Sequence, residues 1–132
     1  MSQCILLCED ETHILRAAEF KLKRAGFEVL CANNGNRALE ILSRRRPDLL
    51  ITDCQMPELD GFGLLEAIRK DPQLADLPVV MLTAKGYELS REDLQQRYGI
   101  LDLLIKPFSP RELVVNVEGY LQRSCSVDSG TT

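Results

Sequence analysis

Five short apolar runs recur along the chain, "CILLC" (4–8), "FEVLCA" (27–32), "LLIT" (49–52), "VVML" (79–82) and "LDLLI" (101–105), and every gap between them carries a helical pattern. Gaps of about 20 to 30 residues are too long for hairpins and suit crossover helices, which make consecutive strands parallel. The first, third, fourth and fifth runs are nearly unbroken in apolar residues, which fits strands buried on both faces. The alternation in the second marks an edge. The pattern predicts an α/β fold, a doubly wound five-stranded parallel sheet with helices on both faces.

The helical segments have readable ends. Ile14, Leu15, Ala18, Leu22 and Ala25 recur at helical spacing before Gly26, and Ala38, Leu39, Ile41 and Leu42 precede Arg44, Arg45, Arg46 and Pro47, cations and a breaker suited to a solvated helix end. A third helix runs through Leu64, Leu65 and Ile68. A weaker one has Ser90 as N-cap, Leu94 and Tyr98 on one face and Gly99 as its stop. Ser109, Pro110 and Glu112 occupy the N-cap, N1 and N3 positions of a capping box. The helix they open points Leu113, Val114, Val117 and Leu121 inward, with Gly119 inside it. One domain over residues 1–123 is expected, with 124–132 as a disordered tail or truncated linker.

At 132 residues the chain can bury a core without metals or disulfides. It is 45% hydrophobic and 27% charged with net charge -4, so it offers phosphates no broad basic surface, and nucleic acid is not an expected partner. No apolar run approaches the roughly 20 residues of a membrane span, so a cytoplasmic protein is expected. The five cysteines, Cys4, Cys8, Cys31, Cys54 and Cys125, include no C-x-x-C pair and read as reduced thiols. His13, the single histidine, lies in a first helical turn and reads as surface. "GFGLLE" lacks the third glycine of a dinucleotide loop and reads as a helix start.

Polar residues end the buried runs: Glu9 and Asp10 after the first, Asp53 after the third, Thr83 after the fourth, Lys106 after the fifth. In a parallel sheet these ends share one edge, where open α/β sheets bind ligands. Three carboxylates and one ammonium leave excess negative charge, and unit charges about 4 Å apart repel by roughly 4 kcal/mol at an effective dielectric near 20. A divalent ion restores balance, and oxygen ligands suit Mg²⁺ better than zinc. Such an edge is prepared for a phosphoryl group, with metal, ammonium and hydroxyl on its oxygens and a carboxylate as nucleophile.

"ILLCEDE", "LLITDCQMPELDG", "VVMLTA" and "LLIKPF", in that order and spacing, resemble the receiver domains of two-component response regulators, related to the chemotaxis regulator. The resemblance covers residues 3–122 and implies the flavodoxin-like strand order 2-1-3-4-5. It implies that Asp53 takes a phosphoryl group from a phosphohistidine on a histidine kinase or histidine phosphotransfer protein. Asp10, Asp53 and the main-chain carbonyl of Gln55 would hold Mg²⁺, or Mn²⁺ in its place, with Glu9 acting through a water. Lys106 would pair with Asp53 and then with the phosphoryl group. Thr83 would swing onto that group, the amides of Cys54 and Ala84 would complete its cradle, and Pro107 would be a cis proline. The domain would catalyse only its own phosphorylation and dephosphorylation and present a switched surface to a downstream protein, with a homodimer through helix 4, strand 5 and helix 5 as a further implied contact.

Two residues depart from the family pattern. Glu9 stands where a second aspartate is usual. Leu103 stands where a rotating Tyr or Phe is usual, so a readout at this position would be apolar repacking or absent. Gln55 and Lys85 flank the expected phosphoryl position. A receiver-shaped module that binds partners without phosphorylation is the alternative; a Mg²⁺-dependent phosphohydrolase would want an acid at Gln55.

Overall fold

A computed structural model describes residues 3–84, 90–106 and 109–130, with side chains as far as Gln122. β1 (Cys4–Cys8) and β3 (Leu49–Asp53) are buried at every position, as unbroken apolar runs require. With β2 (Glu28–Ala32), β4 (Val79–Ala84) and β5 (Asp102–Lys106) they form one sheet of order β2-β1-β3-β4-β5, and every pairing is parallel. This is the expected α/β class and strand order.

Alternation within each strand sorts side chains onto two cores. Ile5, Leu7, Leu49, Ile51, Val80 and Leu82 pack with α1 (Thr12–Arg24) and α5 (Pro110–Gly130), through Leu15, Ala18, Leu22, Leu113, Val117 and Leu121. Leu6, Leu50, Met81 and Leu103 face α2 (Gly35–Leu42), α3 (Gly61–Lys70) and α4 (Arg91–Tyr98), with Ala38, Leu42, Leu64, Leu65, Ile68 and Leu94. A leucine buried this way stabilises the fold by about 1.5–3 kcal/mol.

Helix starts follow the residues that announce them. Asn34, Asp60 and Ser90 accept the N–H of Arg37, Gly63 and Asp93, and the Ser109 hydroxyl accepts that of Glu112 at 3.0 Å. α4 ends at Gly99, whose φ of 67° is the left-handed geometry that suits glycine. Two of the three arginines after α2 brace loops: Arg45 is bidentate on Glu28, and Arg46 reaches Asp76 at 3.1 Å.

Two expectations need correction. β5 is not buried on both faces: it is the second edge, and Ile105 is 60% exposed. Ala25 is the exposed C-cap of α1 rather than part of its inward face. α5 continues to Gly130, each added residue contributing a hydrogen bond without a new nucleus.

Candidate functional site

Register brings the polar strand ends together. Cys8 is level with Thr52, so Glu9 follows β1 beside Asp53, the last residue of β3. Asp53 is level with Leu82, so Thr83 stands one residue further along β4. Ala84 is level with Lys106 at the end of β5. Lys106 must cross β4 to reach Asp53, two strand spacings or roughly 10 Å, which its long stem spans.

The Lys106 ammonium donates to Asp53 Oδ2 at 2.7 Å. It also lies 2.7 Å from Glu9 Oε1 and 3.5 Å from Glu11 Oε1. The Glu9 contact is a charge pair without hydrogen-bond alignment, since Oε1 has no directed partner among the described residues; Oε2 accepts the Glu11 N–H at 3.1 Å. Glu9 is fully buried, Asp53 is buried and Asp10 is exposed. The methylene that distinguishes Glu9 from an aspartate therefore extends a carboxylate onto Lys106.

Burial pushes the Glu9 carboxyl up to about 7, even though Lys106 and the Glu11 N–H favour its charged form. Burial works to lower the Lys106 pKa, but Asp53 and Glu9 outweigh it and hold the ammonium above its usual range. Burial raises the Cys8 and Cys54 thiols to about 12 and Cys31 to about 11, so these stay protonated and are neither nucleophiles nor ligands near neutrality.

Because Glu9 holds its proton more tightly folded than at its ordinary value of 4.5, its contribution to stability is greatest in acid and is lost as pH rises from about 4.5 to about 7. In metal-free buffer, Glu9→Gln is expected to flatten this decline and raise stability at pH 8 by about 1–3 kcal/mol. Urea unfolding at pH 5 and pH 8 measures it; equal pH slopes for the two proteins would contradict the assignment.

Thr83 is 3% exposed, and its hydroxyl has no hydrogen-bond partner among the described residues. An orphaned buried hydroxyl costs about 1–3 kcal/mol, which marks a group waiting for a partner. Ala84 is exposed at the end of β4, level with Lys106. The Cys54 amide donates to Leu82 O at 2.8 Å, extending the β3–β4 ladder. The amide that faces the carboxylate is that of Gln55, 3.4 Å from Asp53 Oδ1, while the Gln55 side chain is exposed. Leu103 is buried against Met81 and Leu94 rather than exposed. Lys85 and Pro107 lie outside the described residues.

One carboxylate oxygen from each of Glu9, Asp10 and Asp53 lies within 4.8 Å of the others. An all-oxygen cluster with one exposed member fits a hard divalent cation with retained waters, so the residues present suit Mg²⁺. Two glycines shape the loop after Asp53: Gly61, which ends the "LLITDCQMPELDG" stretch, and Gly35, which carried no motif. A Cβ on Gly61 would lie 2.3 Å from Asp53 O, and one on Gly35 would lie 2.4 Å from Leu59 O.

Side-chain chemistry, strand order and register together place three carboxylates, a hydroxyl and an ammonium at one edge of a parallel α/β sheet. The sequence pattern described as "Response regulator receiver domain" matches residues 5–118, and the chain belongs to that family. It is a signalling domain of two-component systems. The "Probable transcriptional regulator ycf27" of Porphyra purpurea is 39% identical over 120 residues, covering 91% of this chain and 48% of that protein. Its namesake in Cyanophora paradoxa is 37% identical over 128 residues, covering 97% and 52%. The chain thus spans about half the length of these curated relatives. Among solved structures, chemotaxis protein CheY4 of Vibrio cholerae superposes with a TM-score of 0.81 at 28% identity, covering 89% of this chain and 98% of that one. NtrX of Brucella abortus gives 0.85 at 30% identity, covering 99% of this chain and 30% of its own.

Proposed function

We propose that Asp53 is the phosphoacceptor of this receiver domain and that Mg²⁺ bound by Asp10, Asp53 and the Gln55 carbonyl supports the transfer. The observation that carries this reading is the pairing of two features one strand apart. Lys106 holds Asp53 at 2.7 Å, while the buried Thr83 hydroxyl has no partner among the described residues. The ammonium orients the carboxylate for in-line attack, and the hydroxyl supplies a donor for an oxygen that arrives with the phosphoryl group.

In the transfer, an Asp53 carboxylate oxygen forms a bond to phosphorus as the P–N bond of a phosphohistidine breaks. The imidazole leaves with the electron pair. Lys106 moves from Asp53 towards a phosphoryl oxygen while keeping Glu9, which limits the negative charge around it. A bound Mg²⁺ would neutralise charge on the transferring group.

The donor class that fits is a histidine kinase or histidine phosphotransfer protein, which supports a cytoplasmic location for the domain. No helix among the described residues is long and apolar enough to cross a membrane. The output partner is a protein that reads the α4–β5–α5 side, where Ile105 and Val115 are 60% and 62% exposed; a second copy of this chain is one such protein. The relatives' name supports a transcriptional output in the whole protein.

The test is incubation with acetyl phosphate, with and without Mg²⁺, followed by intact mass. One phosphoryl addition is expected, dependent on Mg²⁺, reversed by hydroxylamine as an acyl phosphate should be, and mapped to the peptide containing Asp53. No addition under any of these conditions would favour the phosphorylation-independent interaction module.

A further inference from the structure

The loop that leads from Asp53 into α3 is fastened from the α2 side. Gly35, the first residue of α2, donates its N–H to Leu59 O at 3.1 Å. The two residues approach so closely that a Cβ on Gly35 would lie 2.4 Å from Leu59 O, 2.9 Å from its Cβ and 3.0 Å from its Cγ. On the other side, a Cβ on Gly63 would lie 2.6 Å from Leu59 Cδ1. Leu59 is therefore lodged between the first turns of two helices, half-buried against the α2–α3 core.

Its neighbour Glu58 has φ 68°, a left-handed conformation that no other described non-glycine residue adopts. That conformation costs a side-chain-bearing residue about 1–2 kcal/mol and persists only where the surroundings enforce it. The enforcing contact is made by the next residue, Leu59, held by Gly35. Upstream, Met56 Sδ rests 3.4 Å from Cys8 Sγ, so the segment around Gln55 is fixed at both ends.

We propose that Leu59 is a positioning residue: lodged on Gly35, it holds Glu58 in the left-handed conformation and so keeps the Gln55 main chain in place beside Asp53 for metal binding. This rests on the reading of Asp10, Asp53 and Gln55 as Mg²⁺ ligands. α2 then belongs to the frame of the site, although no α2 side chain is among those ligands.

The test is a Mg²⁺ titration of the full chain followed by backbone amide shifts, with acetyl phosphate incorporation at saturating Mg²⁺ as a second readout and thermal unfolding as a check that each variant is folded. Leu59→Ala is expected to weaken Mg²⁺ binding about tenfold, the scale of residues that support a metal ligand without touching the metal. Incorporation at saturating Mg²⁺ should remain near the wild-type extent. Leu59→Met should bind as wild type. Glu58→Gly in the Leu59→Ala background should recover much of the affinity, since glycine holds the left-handed conformation without enforcement.

Gly35→Ala, which pushes Leu59 from the α2 side, should weaken Mg²⁺ binding in the same direction and decides the matter if Leu59→Ala fails to fold. Affinity within about twofold of wild type for both Leu59→Ala and Gly35→Ala would overturn the proposal, tenfold being the expected scale. So would a double variant no better than Leu59→Ala. If wild type itself binds no Mg²⁺, the reading of the ligands fails first; if wild type binds and the variants bind equally, only the role of Leu59 fails.

Discussion

Asp53→Asn is expected to abolish phosphoryl incorporation from acetyl phosphate while leaving the fold intact. The amide keeps the size of the carboxylate and removes its nucleophilic oxygen, so the chemical step loses the group that forms the P–O bond. Structure should survive because the Lys106 ammonium, which donates to Asp53 Oδ2 at 2.7 Å, can donate to the amide oxygen at the same place and still faces Glu9. Replacing a charge-assisted hydrogen bond by a neutral one changes stability by about 1 kcal/mol, and relief of repulsion among Glu9, Asp10 and Asp53 offsets part of it. Intact mass after Mg²⁺ and acetyl phosphate should therefore show no addition, beside a melting temperature within roughly 5 °C of wild type. Addition at the wild-type level would remove Asp53 from the proposal. Addition mapped to exposed Asp10 would reassign the nucleophile.

How much of this site could be read from the chain depends on the kind of constraint. Acids, hydroxyl and lysine were legible because each ends an apolar run, and a parallel sheet brings run ends to one edge. The edge position of β2 was legible from alternation, whereas β5 was not: "LDLLI" reads as apolar whether a helix covers it or Ile105 faces outward. Strand order came from family resemblance, since five parallel runs admit several windings. The engagement of the Cys54 amide with Leu82 O depends on where the β3–β4 ladder stops, which the sequence does not mark. Glu9 was legible as an acid at the right position. Its burial and its contact with Lys106 needed the lysine to be seen crossing β4. Gly61 was legible as the end of the loop after Asp53, but its approach to a neighbouring backbone was not, and Gly35 gave no signal, because a glycine that opens a helix has the same letter whether it caps, flexes or admits a neighbouring backbone.

Gly61 and Gly119 separate those cases, and the same change at each should act with opposite sign. Gly61 opens α3 and donates its N–H to Cys54 O at 3.0 Å. A Cβ there would lie 2.3 Å from Asp53 O, 3.0 Å from Cys54 Cα and 3.0 Å from Met81 Cε. Met81 can swing its thioether end away, but the other two atoms are main chain at the end of β3 and yield only if the strand end or α3 moves. Gly61→Ala is therefore expected to cost about 3 kcal/mol, at the upper end of overpacking, and to lower the melting temperature by roughly 10 °C. The displaced group is the carbonyl of Asp53, the proposed phosphoacceptor, so incorporation from acetyl phosphate should slow by about a hundredfold, the scale of a 1 Å misplacement. Gly119, inside α5, has nothing within 4 Å of a Cβ, so Gly119→Ala should stabilise by about 1 kcal/mol through helix propensity alone and leave incorporation unchanged. Circular dichroism melts of both variants beside wild type measure the two signs. A Gly61→Ala melt within about 2 °C of wild type, well inside the span of a single kcal/mol, would mean that the contact with Asp53 O relaxes without strain.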